Sequence, residues 1–318
     1  MAVFIHVLTA IIPLFALILI GYLAKKTRLL HVTDAPALNR FVLSISLPAF
    51  VFHALLSHNL QLDLVRLPFV FWISEFLIFL IAVGVGKLLK WPSPAIGTLA
   101  LQSIFGNTGY IGYPLCTAIM PASLPAVVII DQVGMSVPLY PSAPVLGGIF
   151  GTTQMERSLA DRLSFLRTPA FIALALGIAL KLIPQAWIPT SPPLVQTGKM
   201  IMQIAGIIGV STIPVVLVAI GLVLRPSSLA EHGKKVAVLG LLKLIVLPVL
   251  VWLVAKFIFQ IHLALLAACV MEAATPPSAT STVFAGQYDM DGGLAIASFF
   301  ALTVISAVTL PIMLGLLR

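Results

Sequence analysis

The sequence predicts an all-α membrane protein whose chain crosses the bilayer about ten times. Of the 318 residues, 60% are hydrophobic and only 9% are charged, and the mean hydropathy is +1.13. Soluble domains do not have this balance, which is typical of polytopic membrane proteins. The apolar residues also fall in runs long enough to span, because a spanning helix takes about 20 residues. Two of these runs are interrupted in the middle by polar residues, glycine and proline.

Ten apolar runs follow one another with short polar connections. The first run has no small-residue cleavage site after it, so we expect a retained spanning helix rather than a signal peptide. We place the spans at residues 3–24, 36–57, 67–89, 99–120, 124–150, 169–183, 194–224, 236–259, 263–287 and 293–317.

The basic residues fall in short clusters between the spans, and such clusters predict the orientation of the chain in the membrane. We therefore attribute the net charge of +8 to topology signals and lipid contacts rather than to nucleic-acid binding. The loops after spans 1, 3, 5 and 7 contain Lys25, Lys26, Arg28, Lys87, Lys90, Arg157, Arg162, Arg167, Arg225, Lys234 and Lys235. The opposite side contains Arg66, Lys181, Lys199, Lys256 and Arg318. We therefore expect a cell (inner) membrane protein with both termini outside the cytoplasm, in contact with the lipid bilayer and with no nucleic acid.

The order of the spans predicts two inverted repeats. Residues 1–150 and 169–318 each contain five spans, and residues 151–168 form a cytoplasmic linker. LPAFVF at 47–52 in span 2 matches IPVVLV at 213–218 in span 7, and the interrupted spans 4 and 9 are each the fourth of their half. An odd number of spans per half turns the second half upside down, and paired broken helices are a transporter design. Coincidence between two proline-containing helices is the alternative.

The first interruption reads FGNTGYIGYP at residues 105–114. Irregular backbone at membrane depth is tolerated only where it is buried in protein or lines a wet cavity. We therefore expect two half-helices that meet at Asn107, with Gly106, Gly112 and Pro114 as hinge residues. A kinked helix with glycines for close packing is the other interpretation.

The second interruption contains Thr275, Pro276, Pro277 and Ser278. Half-helix ends offer N–H donors to an anion and carbonyls to a cation, and a neutral amide or hydroxyl can bind a carboxylate. Tyr110 and Tyr113 beside the first interruption could stack on an aromatic substrate, or they could only line the cavity wall or pack. The predicted substrate site comprises Asn107, Thr108, Gly109, Tyr110, Thr275, Pro276, Pro277 and Ser278.

Acidic residues inside spans are costly and commonly face a cavity or a partner. Asp131 and Glu272 are therefore either carriers of a coupling cation or proton, or structural carboxylates bonded to a neighbouring helix. Glu75 and Lys243 could form an interior ion pair or line a vestibule. Alternatively, Lys243 extends to the cytoplasmic face.

Other classes of protein find little support. The chain has no GxSxG or HExxH motif, and its two cysteines give no disulfide framework or metal motif, so we expect no enzyme and no cofactor. An intramembrane enzyme and a non-transporting sensor are the alternatives. A sensor function would not explain why two helices are broken.

The motif Asn107-Thr108-x-x-x-Gly112-x-Pro114 resembles the first crossover motif of the auxin efflux carrier (PIN-like) family. VFAGQY at 283–288 resembles the end of its ninth helix, and LP at 47–48 and TLP at 309–311 also fit. The resemblance implies scaffold and transport domains each drawn from both halves and elevator-type alternating access. It also implies a small organic carboxylate bound near Asn107 and the prolines of span 9; a homodimer is a further expectation.

The short linker and the uncharged Gly286 and Gln287 resemble bacterial-type members that carry malonate or other dicarboxylates, rather than plant auxin carriers. Glu272 resembles an acid that binds sodium in the more distant bile acid/sodium symporters. The resemblance therefore implies coupling to sodium, at Glu272 and Asn107, or to protons.

Overall fold

The computed structural model describes the backbone of residues 2–58, 62–152, 163–184, 191–224 and 229–316. These residues form helices and no strand, which confirms the predicted all-α class. Six helical stretches are long and apolar enough to cross a membrane: Val32–Ser57, Asp63–Leu88, Pro121–Phe150, Pro192–Val223, Glu231–Ile258 and Gly292–Leu316. Large apolar side chains such as Phe76, Ile207 and Val308 are exposed on them, as expected where helices contact lipid.

The α-helices of the first half are α1 (Ala2–Lys26), α2 (Ala35–Phe41), α3 (Leu47–Ser57), α4 (Leu67–Leu88), α5 (Ser93–Ile104), α6 (Tyr113–Ile119), α7 (Leu124–Ile129) and α8 (Val137–Phe150). Those of the second half are α9 (Pro169–Leu182), α10 (Pro192–Val210), α11 (Thr212–Val223), α12 (Leu229–Leu241), α13 (Leu247–Leu253), α14 (Leu263–Ala273), α15 (Ala279–Gln287) and α16 (Gly292–Leu316).

Wide π-type turns join several of these helices, and proline explains four of them. The turns Val42–Ser46, Thr108–Gly112, Ile130–Ser136 and Leu242–Val246 are each followed after one residue by Pro48, Pro114, Pro138 or Pro248. Proline donates no N–H, and its ring collides with the carbonyl four residues before it. An extra residue in the preceding turn relieves both problems, so the helix continues with a local bend.

The chain divides into two compact units. The smaller unit contains residues 14–62 and 165–223. Within it α9 and α10 pack against α3, and the end of α1 crosses α11. At this crossing a Cβ on Gly221 would lie 2.7 Å from the backbone nitrogen of Tyr22. The two backbones therefore touch without side chains between them, as small residues allow in membrane helices.

The larger unit contains residues 1–13, 63–164 and 224–318. Within it α4 packs against α5 and α13, and α16 packs against α12 and α15. The Thr98 hydroxyl donates to the Asp291 carbonyl at 3.1 Å, and the Asp291 N–H donates to the Pro94 carbonyl at 3.2 Å. These bonds attach the start of α5 to the loop before α16. All of the predicted site residues belong to this unit.

Each unit draws on both halves of the chain, although the division into inverted repeats at 1–150 and 169–318 stays a prediction. Residues 153–162 of the predicted linker lie outside the described residues, as do Arg157, Arg162, Arg225 and Arg318. The predicted orientation in the membrane stays a prediction.

Candidate functional site

Two non-helical segments of the larger unit pair with each other. Residues 105–107 separate α5 from the Thr108–Gly112 turn, and residues 274–278 separate α14 from α15. Gly106 and Pro277 form an antiparallel bridge. The Asn107 N–H donates to the Pro276 carbonyl at 2.7 Å, and the Ser278 N–H donates to the Phe105 carbonyl at 3.0 Å. The structure thus brings together the two interruptions that the sequence predicts as one site.

The local sequence explains this pairing. Pro276 and Pro277 disfavour helix at the residue before each of them and supply carbonyls but no N–H groups. Gly106 has no side chain, and a Cβ there would overlap the hydroxyl of Thr275 in the facing segment. The segments therefore approach closely only because this position is glycine.

The helix ends beside the bridge are largely satisfied by the chain itself. Ser278 caps α15 by accepting a hydrogen bond from the Ser281 N–H at 2.8 Å. The Thr275 hydroxyl donates to the Glu272 carbonyl at 2.7 Å. The Asn107 carbonyl accepts from the N–H groups of Ile111 and Gly112 at 2.9 and 3.3 Å. Ser278 and Thr275 therefore help to shape the backbone here, and their part in substrate binding stays a prediction.

Asn107 is the first of those groups. Its side chain is 4% exposed, and its Nδ2 amide has no hydrogen-bond partner among the described residues. A buried donor without a partner costs about 1–3 kcal/mol, so such a group calls for an explanation. A ligand with an acceptor oxygen would supply the missing bond.

Thr108 and Asp131 belong to a different arrangement. The carboxylate of Asp131 accepts hydrogen bonds from Thr108 and, at 2.6 Å each, from the Tyr113 hydroxyl and the Gln132 amide. A Cβ on Gly109 would lie 3.3 Å from the same carboxylate, and Tyr110 beside it is half-buried. Asp131 thus matches the structural alternative, a carboxylate bonded to neighbouring helices; its coupling role stays a prediction.

Glu272 is the opposite case. It is fully buried in the last turn of α14, and neither carboxylate oxygen has a hydrogen-bond partner among the described residues. The carboxylate contacts the backbone at Gly112, where a Cβ would overlap it. α6 begins at Tyr113 directly after the Thr108–Gly112 turn, with Pro114 as its second residue. A buried carboxylate without hydrogen bonds is costly, which favours a functional role for Glu272.

Lys243 completes the site and corrects one interpretation of the sequence. Its side chain is fully buried, and its ammonium donates to the Ala273 carbonyl at 2.8 Å. It therefore does not extend to the cytoplasmic face. The charges of Glu75 and Glu272, both buried, act on this ammonium. Sequence alone could not select between these alternatives, because the contact joins residues 30 positions apart on separate helices.

Other side chains were missed from the sequence. The Gln132 amide donates to the Asp131 carboxylate at 2.6 Å, and the Gln102 amide donates to the Thr282 hydroxyl at 3.0 Å between α5 and α15. Gln102 and Gln132 are polar residues within apolar runs, and that signal could have found them. The described residues contain no group of three or more His, Cys, Asp and Glu side chains arranged around a metal position.

Long apolar helices that surround a buried polar contact define a multi-pass integral membrane protein. The chain belongs to the family described as membrane transport protein, whose model matches residues 6–143 and 153–314. This confirms the family predicted from the crossover motif, that of the auxin efflux carriers and their relatives.

Curated relatives cover nearly the whole chain. The chain is 23% identical over 305 residues to an uncharacterized transporter of Methanothermobacter thermautotrophicus, with 95% of each chain covered. It is 24% identical over 302 residues to an uncharacterized transporter of Methanocaldococcus jannaschii, covering 93% of this chain and 94% of that one. It is 23% identical over 321 residues to a Rhizobium meliloti protein named "Putative malonate transporter", covering 97% and 95%. The family and these names are those of membrane transporters rather than enzymes.

A methyl group at Gly112 is expected to disturb the site. In Gly112→Ala the new Cβ overlaps the Glu272 carboxylate, which is buried on all sides and cannot move freely. Overpacking of this kind costs about 1–3 kcal/mol, so the thermal unfolding midpoint of the purified protein should fall. Gly148→Ala is the matched control, because nothing lies within 4 Å of its Cβ position in α8. Equal midpoints for the two variants would contradict the close packing described here.

Proposed function

We propose that the protein is a secondary transporter that carries a small organic anion across the membrane. The observation that supports this most is the antiparallel contact of residues 105–107 with residues 274–278. Beside it lie the Asn107 Nδ2 amide and the Glu272 carboxylate, which have no hydrogen-bond partner in the part of the chain that the structure describes. Two irregular segments that cross inside a bundle of apolar helices are a recurring transporter design. The matching family model and the transporter relatives support the same class.

The architecture proposed for this function has ten spans in two inverted repeats of five, with spans 4 and 9 as the crossed broken helices. In this proposal the larger unit is the transport domain that carries the substrate, and the smaller unit is the scaffold. Substrate access would alternate by an elevator-type displacement of the transport domain. Support comes from the composition of each unit, which includes segments of both halves of the chain.

The proposed substrate is a mono- or dicarboxylate of small size, auxin-like or malonate-like. The Asn107 amide would donate to a carboxylate oxygen and so fill its missing hydrogen bond. The neighbouring predicted residues Thr108, Gly109, Tyr110 and 275–278 would shape the pocket. The distant Rhizobium meliloti relative whose name refers to malonate, at 23% identity, supports a dicarboxylate.

The proposed coupling group is Glu272. A buried carboxylate without a hydrogen-bond partner can take up a cation or a proton, and either would lower the cost of its burial. Asp131 would assist the coupling by fixing the positions of Thr108 and Tyr113, whose hydroxyls donate to its carboxylate. We propose the cell membrane as the location, with both termini outside, and a homodimer as the assembly.

Uptake of labelled carboxylates by proteoliposomes that contain the purified protein tests this function. We expect saturable uptake of at least one small mono- or dicarboxylate, and a rise in uptake when a sodium or proton gradient is imposed. Uptake that ignores both gradients would indicate a uniporter. Carboxylate binding without any flux would favour the sensor instead and would contradict the proposal.

A further inference from the structure

The Lys243 ammonium lies where a coupling cation would be expected to bind. It is fully buried and donates to the carbonyl of Ala273, which ends α14. Carbonyls at a helix C-terminus carry partial negative charge and have no partner within the helix. In broken-helix transporters such carbonyls are typical ligands of a dissolved cation. Here a side chain of the protein already occupies one of them.

The Lys243 ammonium is closely surrounded by other groups of the chain. A Cβ at Gly106 would lie 3.0 Å from the Lys243 nitrogen and 3.3 Å from the Glu272 carbonyl oxygen, so a larger residue would crowd both. The Glu272 carbonyl is in turn occupied by the Thr275 hydroxyl at 2.7 Å. The carbonyls of Glu272 and Ala273 are therefore both engaged by groups of the chain.

The buried charges near Lys243 also favour a cation of the protein itself at this position. Glu75 and Glu272 are buried carboxylates whose charges act on Lys243, and the charge of Asp131 acts in addition on Glu272. Buried carboxylates need a cation nearby, since removing one partner leaves an uncompensated charge. The Lys243 ammonium provides such a cation on a side chain of the protein, which cannot leave the site as a dissolved ion would.

We infer that Lys243 is a built-in cation that takes the place of sodium at the end of α14, so that the protein folds and binds its substrate without sodium. The sodium site expected at Glu272 and Asn107 is then unnecessary, and any coupling runs through protons. The statement about proton coupling rests on the proposed function. The statement that Lys243 takes the position of a sodium ion does not.

The thermal unfolding midpoint of purified protein, compared in sodium chloride and choline chloride of equal ionic strength, tests the inference. For the wild type, the midpoint in sodium chloride should equal the midpoint in choline chloride. The same should hold for the control Lys256→Met, because Lys256 is exposed on the long apolar helix that also contains Lys243. Lys243→Met should unfold at a lower temperature in choline. Sodium should raise the midpoint of Lys243→Met by about 2–4 °C, because a dissolved cation can then bind where the ammonium was.

A wild type that sodium stabilises over choline would overturn the inference, as would a Lys243→Met protein with the wild-type midpoint in both salts. If Lys243→Met does not fold, Lys243→Arg keeps the charge and should remain indifferent to sodium; dependence on sodium there would also overturn it. Carboxylate flux of the wild type should agree within about twofold between the two salts. Absence of all flux would refute the proposed function alone, because the midpoints do not depend on transport.

Discussion

Replacing Asn107 with alanine is expected to lower carboxylate uptake by about tenfold or more. The amide is buried and without a partner among the described residues, so its hydrogen bond is available to the substrate. A hydrogen bond to a charged group contributes about 1.5–3 kcal/mol, and about 1.4 kcal/mol corresponds to a factor of ten. The measurement is initial uptake by proteoliposomes with equal amounts of reconstituted protein.

Asn39→Ala is the matched control for this variant. Asn39 is a partly exposed residue of α2 in the smaller unit, and its replacement should leave uptake within about twofold of the wild type. Because Asn107 loses no hydrogen bond of its side-chain amide on mutation, Asn107→Ala should fold as well as the wild type. Undiminished uptake at normal expression would refute its role in binding.

Replacing Glu272 with glutamine is expected to abolish coupled transport while the protein stays at least as stable as the wild type. Both carboxylate oxygens are buried without hydrogen bonds among the described residues, so the charge itself is a cost to folding. Glutamine keeps the shape and removes that charge, and Lys243 retains Glu75 as a counter-charge. We expect a fall in gradient-driven uptake of about tenfold or more, with an unchanged or higher unfolding midpoint.

The control for Glu272 is Glu231→Gln in the first turn of α12, where the side chain is exposed. This change should alter neither uptake nor the midpoint measurably. A Glu272→Gln protein that transports normally and responds normally to the gradients would remove Glu272 from the coupling mechanism. A large loss of stability would indicate instead that its carboxylate has a structural role.

The class of fold and the two segments of the candidate site could be predicted from the sequence for a clear physical reason. Glycine, proline and polar residues in the middle of an apolar run are costly at membrane depth, and so they stand out. Asn107 and Pro276 could be found in this way, although they are 169 positions apart, and the structure joins their backbones. Family resemblance then supplied the expectation of a carboxylate.

Three features could not be read from the sequence. The burial of Lys243 depends on how α13 and its preceding turn lie against α14, and its position near a basic loop favoured the opposite interpretation. The bonds from Tyr113 and Gln132 to Asp131 depend on the register of α6 against the Ile130–Ser136 turn. The bounds of the two units depend on contacts between distant segments, which a hydropathy pattern does not contain.

The central claim is that the two paired segments form one carboxylate site around Asn107. Isothermal titration of the transported carboxylate into purified wild-type, Asn39→Ala and Asn107→Ala protein tests it most directly. The claim predicts equal dissociation constants for the wild type and Asn39→Ala, and a value about tenfold or more higher for Asn107→Ala. Equal affinity in all three proteins would contradict it.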